Sequence, residues 1–147
     1  MKIFYIYGKL DLRKENNIGG FVLNVLICDD SKFMRNIIKN QLKSIDKNIV
    51  IIGEASDGEE AVEKYKSLKP DLVTMDITMD KKDGMTALKD IMRFDKNAKV
   101  IMVSSMGQQH IILDTIKVGA VDFVIKPFDR EALLKSFNCA KKKMNLR

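Results

Sequence analysis

Five short apolar runs alternate strictly with five longer amphipathic stretches, and this alternation most constrains how the chain can fold. The runs, at 22–28, 50–54, 71–76, 99–104 and 121–125, are too short for buried helices and read as strands covered on both faces. Between and after them, 32–44, 58–67, 85–94, 108–118 and 130–143 carry apolar residues at three- and four-residue intervals and read as helices. Strand and helix in strict turn give an α/β protein with a parallel sheet and helices on both of its faces. Ser31 and Asp57 are suitable N-caps, Gly119 follows the fourth helix, and Pro70 closes the connection into the third strand. With 147 residues, 46% of them apolar, one domain over 21–147 can bury a full core. Residues 1–20 stand apart as an extension, expected to be weakly ordered or attached at the surface. Its Ile3 to Tyr7 run is able to serve as an edge strand, and Gly19-Gly20 reads as a flexible joint.

Several function classes are disfavoured by composition. No apolar run nears the roughly 20 residues needed to cross a bilayer, so membrane insertion is not expected. Met1 to Gly8 is interrupted too early for a signal-peptide core. Two cysteines, Cys28 and Cys139, suggest no disulfide framework and point to a reducing cytoplasm. The net charge of +6 lies in the tails: residues 1–20 carry four basic and two acidic side chains, and 141–147 carry four basic and none acidic. The remaining residues are balanced, and Lys141-Lys142-Lys143 reads as a favourable positive helix end. Nucleic acid is therefore not the expected partner, because no aromatic interleaving or recognition motif accompanies the basic residues.

Chemistry gathers at the carboxyl ends of the strands, where open parallel sheets place their ligands. Asp29 and Asp30 follow the first strand, Asp76 ends the third, Ser104 and Ser105 end the fourth, and Lys126-Pro127 follows the fifth. Three carboxylates in one place need a cation. Together with a hydroxyl and an ammonium they suit phosphoryl chemistry, since Mg²⁺ prefers carboxylate and phosphate oxygens. A carboxylate can itself be the nucleophile, and Asp76 is the best placed. Ser105 faces the other way along its strand and reads as structural. His110, early in a helix, reads as a surface residue, Cys28 as a small buried hydrophobe, and Met75, Met79, Met85, Met102 and Met106 as adaptable packing.

In this order and spacing, Asp29-Asp30 with Met34-Arg35, PDLVTMDITM at 70–79, Asp83-Gly84, VSSMG at 103–107 and KPF at 126–128 resemble the receiver domains of two-component response regulators. The resemblance runs from about Val22 to the end and is greatest to the stand-alone chemotaxis regulators. It implies a flavodoxin-like, doubly wound five-stranded sheet of order 2-1-3-4-5, an order for which chemotaxis regulators of this family are themselves a reference case. It further implies that Asp76 is the phosphoacceptor and that Asp30, Asp76 and the backbone carbonyl of Thr78 hold Mg²⁺, with Asp29 acting through water. Ser104 would bond the phosphoryl group, and Lys126 would pair with the carboxylate before transfer and with the phosphate after it. Phe123 occupies the aromatic switch position, and Lys126–Pro127 is a candidate cis peptide. Thr78 and Met106 take positions that tune hydrolysis in the family.

A sensor histidine kinase is the implied phosphodonor. The implied target is a protein, with the flagellar switch a candidate, docked on the face of helix four, strand five and helix five, residues 107–144. Such a regulator catalyses only its own phosphorylation and dephosphorylation. One departure is Asp80, where the family usually carries proline; the mixed-charge loop Asp80-Lys81-Lys82-Asp83 puts loop rigidity in question, although Asp80 reads more simply as a solvated loop residue balanced by Lys81 and Lys82. Two alternatives stay open: a phosphorelay adaptor or receiver separated from a DNA-binding effector, and a haloacid-dehalogenase-like phosphatase, though Thr78 stands where the latter has a second aspartate.

Overall fold

The computed structural model describes residues 5–6, 9–10 and 22–144. The main sheet contains β1 (Leu23–Cys28), β2 (Ile49–Ala55), β3 (Leu72–Met75), β4 (Val100–Ser104) and β5 (Asp122–Ile125). Interleaved with them are α1 (Lys32–Ile45), α2 (Gly58–Leu68), α3 (Gly84–Phe94), α4 (Gln109–Val118) and α5 (Arg130–Lys143). All sheet neighbours are parallel and run β2-β1-β3-β4-β5, which is the implied 2-1-3-4-5 order.

The strands β1, β3 and β4 are buried along their whole length and the edge strands β2 and β5 are half-buried, with successive residues serving opposite layers. Val25 and Ile27 pack with Ile38, Leu42, Leu133 and Phe137 against α1 and α5. Leu26 and Cys28 pack with Tyr65, Leu88, Ile91 and Met102 under α2 and α3. The two layers account for the continuous apolar runs.

Four of the five helix starts are fixed by side-chain caps. Ser31 Oγ accepts from Met34 N–H at 3.2 Å, and Asp57 Oδ1 from Glu60 N–H at 2.9 Å, at the two caps read from sequence. Asp83 and Asp129 cap α3 and α5 in the same way. Gln108 gives α4 no side-chain cap, and Thr115 is the buried residue of that helix, so α4 is the most lightly held of the five. Gly119 ends it at φ +132°, a backbone conformation that favours glycine.

The described part of the Ile3 to Tyr7 run, Tyr5–Ile6, does not extend the main sheet. Tyr5–Ile6 instead pairs antiparallel with Lys9–Leu10 in a separate two-stranded sheet, so a local partner satisfies its backbone. The remainder of the extension, and with it the expectation of a weakly ordered or surface-attached segment, lies outside the described residues.

Candidate functional site

Strand register builds the site. Cys28 is in register with Met75, and Asp76 N–H donates to the Cys28 carbonyl at 3.0 Å, so the residues that follow β1 and β3 emerge side by side. One carboxylate oxygen each from Asp29, Asp30 and Asp76 lies within 4.8 Å of the others. Asp29 and Asp76 are buried, whereas Asp30 is exposed. Lys126 reaches across from the end of β5, and its Nζ donates to Asp29 Oδ2 at 2.7 Å and to Asp76 Oδ2 at 3.1 Å. Its own backbone N–H is tied to the Ser104 carbonyl at 2.9 Å. The Lys126–Pro127 peptide is cis.

Further bonds fix the carboxylates. Asp29 Oδ1 accepts from Ser31 N–H at 2.9 Å, so one side chain serves both the site and the turn into α1. Arg35 Nη1 donates to the Asp29 carbonyl at 2.7 Å and its Nε to Glu54 at 3.0 Å. Glu54 also pairs with Lys39, and the Lys39 and Arg35 hydrogen bonds together hold its carboxyl below the usual range despite partial burial.

One ammonium faces three carboxylates, and the electrostatics show the surplus. Although Asp30 is exposed, the packed site withdraws water from one side of it. This desolvation, then the Asp29 side chain, then the charge of Asp76, raises its pKa against the opposing pull of Lys126. Burial would lower the Lys126 pKa, but its bonds to Asp29 and Asp76 outweigh that and raise it. A site of hard oxygen donors with negative charge in excess and one open side fits Mg²⁺, which keeps several of its waters.

The same surplus gives an expected outcome. Asp30→Asn removes like-charge repulsion, so without divalent metal the variant should be more stable at neutral pH, by about 1 kcal/mol or less after solvent screening. A carboxyl with a raised folded pKa destabilises the fold above its unfolded value near 4, so the gain should fade as pH falls through that window. Thermal melts with and without Mg²⁺ check both halves, since the variant should also lose most of the Mg²⁺-dependent stabilisation.

The other expected site residues divide. Ser104 is fully buried at the end of β4, and its hydroxyl accepts Met106 N–H at 3.3 Å. Ser105 is exposed, as is His110. Thr78 is exposed; its N–H lies 3.4 Å from Asp76 Oδ1, and its hydroxyl lies 3.4 Å from Met106 Sδ. Phe123 is half-buried and packs against the α2 and α3 layer. Met75, Met79 and Met102 belong to that same core, with Met85 and Met106 packed on it, which is the packing role expected of them. Cys28 is fully buried, which drives its thiol pKa far up.

Two features were not read from sequence, and a third was read only in part. Asp29 bonds Lys126 directly. Gly84 lies against the Asp76 backbone: a Cβ on it would fall 1.8 Å from the Asp76 carbonyl oxygen, and its N–H donates to the Ile77 carbonyl at 2.7 Å. Asp80 is exposed, as a solvated loop residue should be, but Lys81 and Lys82 turn to Asp57 and Asp90 instead, and the Lys82 carbonyl accepts Gly58 N–H at 3.0 Å. A glycine directly after a capping aspartate was the signal available for the second feature.

Comparison with known proteins agrees with this geometry. The response regulator receiver domain family matches residues 25–138. The chemotaxis protein CheY of Listeria monocytogenes is 50% identical over 121 residues, covering 82% of this chain and 100% of that protein. Protein CcdB of Bacillus subtilis is 52% identical over 112 residues, covering 76% of this chain and 92% of its own. Among solved structures, the CheX-CheY-BeF3-Mg+2 complex from Borrelia burgdorferi matches with a TM-score of 0.75 at 46% identity, covering 78% of this chain and 86% of that one. Five parallel strands in 2-1-3-4-5 order, an acidic cluster at their carboxyl ends and a match along most of its length place this chain in the response regulator receiver domain family, as a close relative of the CheY chemotaxis regulators.

Proposed function

We propose that the protein is a phosphorylation-activated response regulator that accepts a phosphoryl group on Asp76 from a sensor histidine kinase and signals by protein contact in chemotaxis or motility. The observation that carries this reading is the Lys126 ammonium bridging Asp29 and Asp76 inside a cluster of three carboxylates. In the transfer, an Asp76 carboxylate oxygen forms a bond to phosphorus while the bond from phosphorus to the kinase histidine nitrogen breaks. The imidazole leaves with the electron pair of that bond. Asp29, Asp30, Asp76 and the carbonyl of Thr78 would hold Mg²⁺, which when bound offsets charge on the phosphoryl oxygens.

Lys126, already bonded to Asp76, moves its bond to a phosphoryl oxygen. Ser104 leaves its contact with Met106 N–H and donates its hydroxyl to another phosphoryl oxygen. Moving that strand end makes room for Phe123 to pack inward, and α4, the helix without a side-chain cap, follows. The phosphoryl group thus contacts the two conformations differently, as any switch requires. Leu113 and Ile116 on α4 and Ile125 on β5 are large exposed apolar side chains on the face of α4, β5 and α5, where a protein target such as the flagellar switch would dock. Among the described residues no helix is long and apolar enough to cross a membrane, and a cytoplasmic location suits this role. The chemistry ends on the protein itself, so the reading includes no external turnover.

Amide resonances test it. Beryllium fluoride with Mg²⁺ should shift residues from Ser104 through Ile125 in the native protein and leave Asp76→Asn unshifted. Shifts confined to the acidic cluster of Asp29, Asp30 and Asp76 would overturn the switch.

A further inference from the structure

We infer that Lys82 is a positioning residue for the metal site, bracing the loop between β3 and α3 around the exposed Asp80. The inference rests on the proposed reading that the Asp76 carboxylate and Thr78 carbonyl are Mg²⁺ ligands. Both ligands belong to one loop, residues 76–84, and their placement depends on what holds it.

The ends of the loop are fixed by backbone. Asp76 N–H is bound to Cys28, and Gly84 N–H closes onto the Ile77 carbonyl. The middle is another matter. Thr78, Asp80, Lys81 and Asp83 are exposed, and Ile77 and Met79 are the loop's buried apolar side chains. Lys81 sits in the left-handed region at φ +62°, a conformation that a non-glycine residue adopts only when its surroundings impose it.

Lys82 supplies those surroundings in three directions. Its N–H donates to the Asp80 carbonyl at 2.7 Å, which closes the turn around Lys81. Its carbonyl accepts the N–H of Gly58 at the start of α2, and a Cβ on Gly58 would come within 2.1 Å of that oxygen, so loop and helix touch backbone to backbone. Its ammonium pairs with Asp90 on α3, and that bond is the first cause of Asp90's lowered pKa. Both partners are only about a quarter exposed, 28% and 23% by side chain, so the pair is less screened than an ordinary surface pair. Lys81 adds a looser contact, its Nζ 3.7 Å from Asp57 Oδ2. Of these ties, the Lys82 side chain is the one that joins the loop to α3 beyond its own first turn.

The test is calorimetric Mg²⁺ titration of the full chain beside thermal melts. Lys82→Met should weaken Mg²⁺ binding about tenfold, the lower end for residues that orient metal ligands, with little change in melting temperature. Asp90→Asn should do the same by removing the partner, whereas Lys82→Arg should bind as the native protein does. Native affinity in both Lys82→Met and Asp90→Asn would overturn the inference, leaving the pair a surface contact. A loss in Lys82→Arg equal to that in Lys82→Met would overturn it as well, and if Lys82→Met does not fold, Asp90→Asn decides alone. Failure of the native protein to bind Mg²⁺, or binding unchanged by Asp30→Asn, would instead remove the site reading on which the inference depends.

Discussion

Lys126→Met is expected to lower unfolding free energy in metal-free buffer by about 3 kcal/mol, the low end of the cost of removing one partner from a buried charge pair. Asp29 is 1% exposed and loses its bond to Nζ, while Asp76 loses its only ammonium partner among the described residues. The low end applies because Asp30 opens one side of the site to water. Mg²⁺ should recover part of the loss, since a site with one positive charge fewer favours the cation and binding to the folded state stabilises it by mass action. The pH dependence has a definite sign. A lysine whose folded pKa is raised contributes stability fully present below its unfolded value near 10.4 and lost as pH rises through the folded value. On the lysine's side, the gap between native protein and variant should therefore be flat around neutrality and close in alkali. Chemical denaturation with and without Mg²⁺ measures this, and equal stabilities in metal-free buffer would show that the bridge does not hold the carboxylates.

Gly84→Ala is expected to cost about 3 kcal/mol or more and to abolish Mg²⁺ binding together. The reason is space, since the new methyl would sit 1.8 Å from the Asp76 carbonyl oxygen and 2.8 Å from Ile77 Cα, both of them backbone. Overpacking against atoms that cannot rotate away costs roughly 1–3 kcal/mol and often more, which exceeds the ~1 kcal/mol that alanine gains over glycine in helix propensity. To relieve the clash, α3 must withdraw and break the Gly84 N–H bond to Ile77, and the Asp76 to Thr78 backbone moves with it. Gly107→Ala is the control. Its Cβ would meet the Ile125 side chain at 2.9 Å, and a side chain can turn aside. Denaturation midpoints should separate the two; equal small effects would mean that α3 is free to shift without disturbing Asp76.

How far the chain could be read from its sequence follows from what each feature depends on. The strands and helices were legible to within about one residue because buried parallel strands leave continuous apolar runs and because Ser31 and Asp57 are local caps. Asp29, Asp30, Asp76 and Lys126 were legible as a group because strand ends in a parallel sheet converge. The Asp29 bond to Lys126 was not, since it joins residues 97 apart and depends on register and on which of two adjacent carboxylates turns inward. The roles of Gly84 and Lys82 depend on the path of one loop against α2 and α3, which periodicity does not encode. Asp80 drew attention in the sequence, yet the side chain that ties this loop to α3 is that of Lys82, two residues further on.

The central claim, that these strand ends hold a phosphoryl group on Asp76, is tested most directly by mass spectrometry of the native chain after incubation with acetyl phosphate and Mg²⁺. Borohydride reduction of the acyl phosphate then marks the modified aspartate in peptide maps. One phosphoryl group on Asp76, absent without Mg²⁺ and absent in Asp76→Asn, is the expected result. Label on another residue, or labelling that persists in Asp76→Asn, would contradict it.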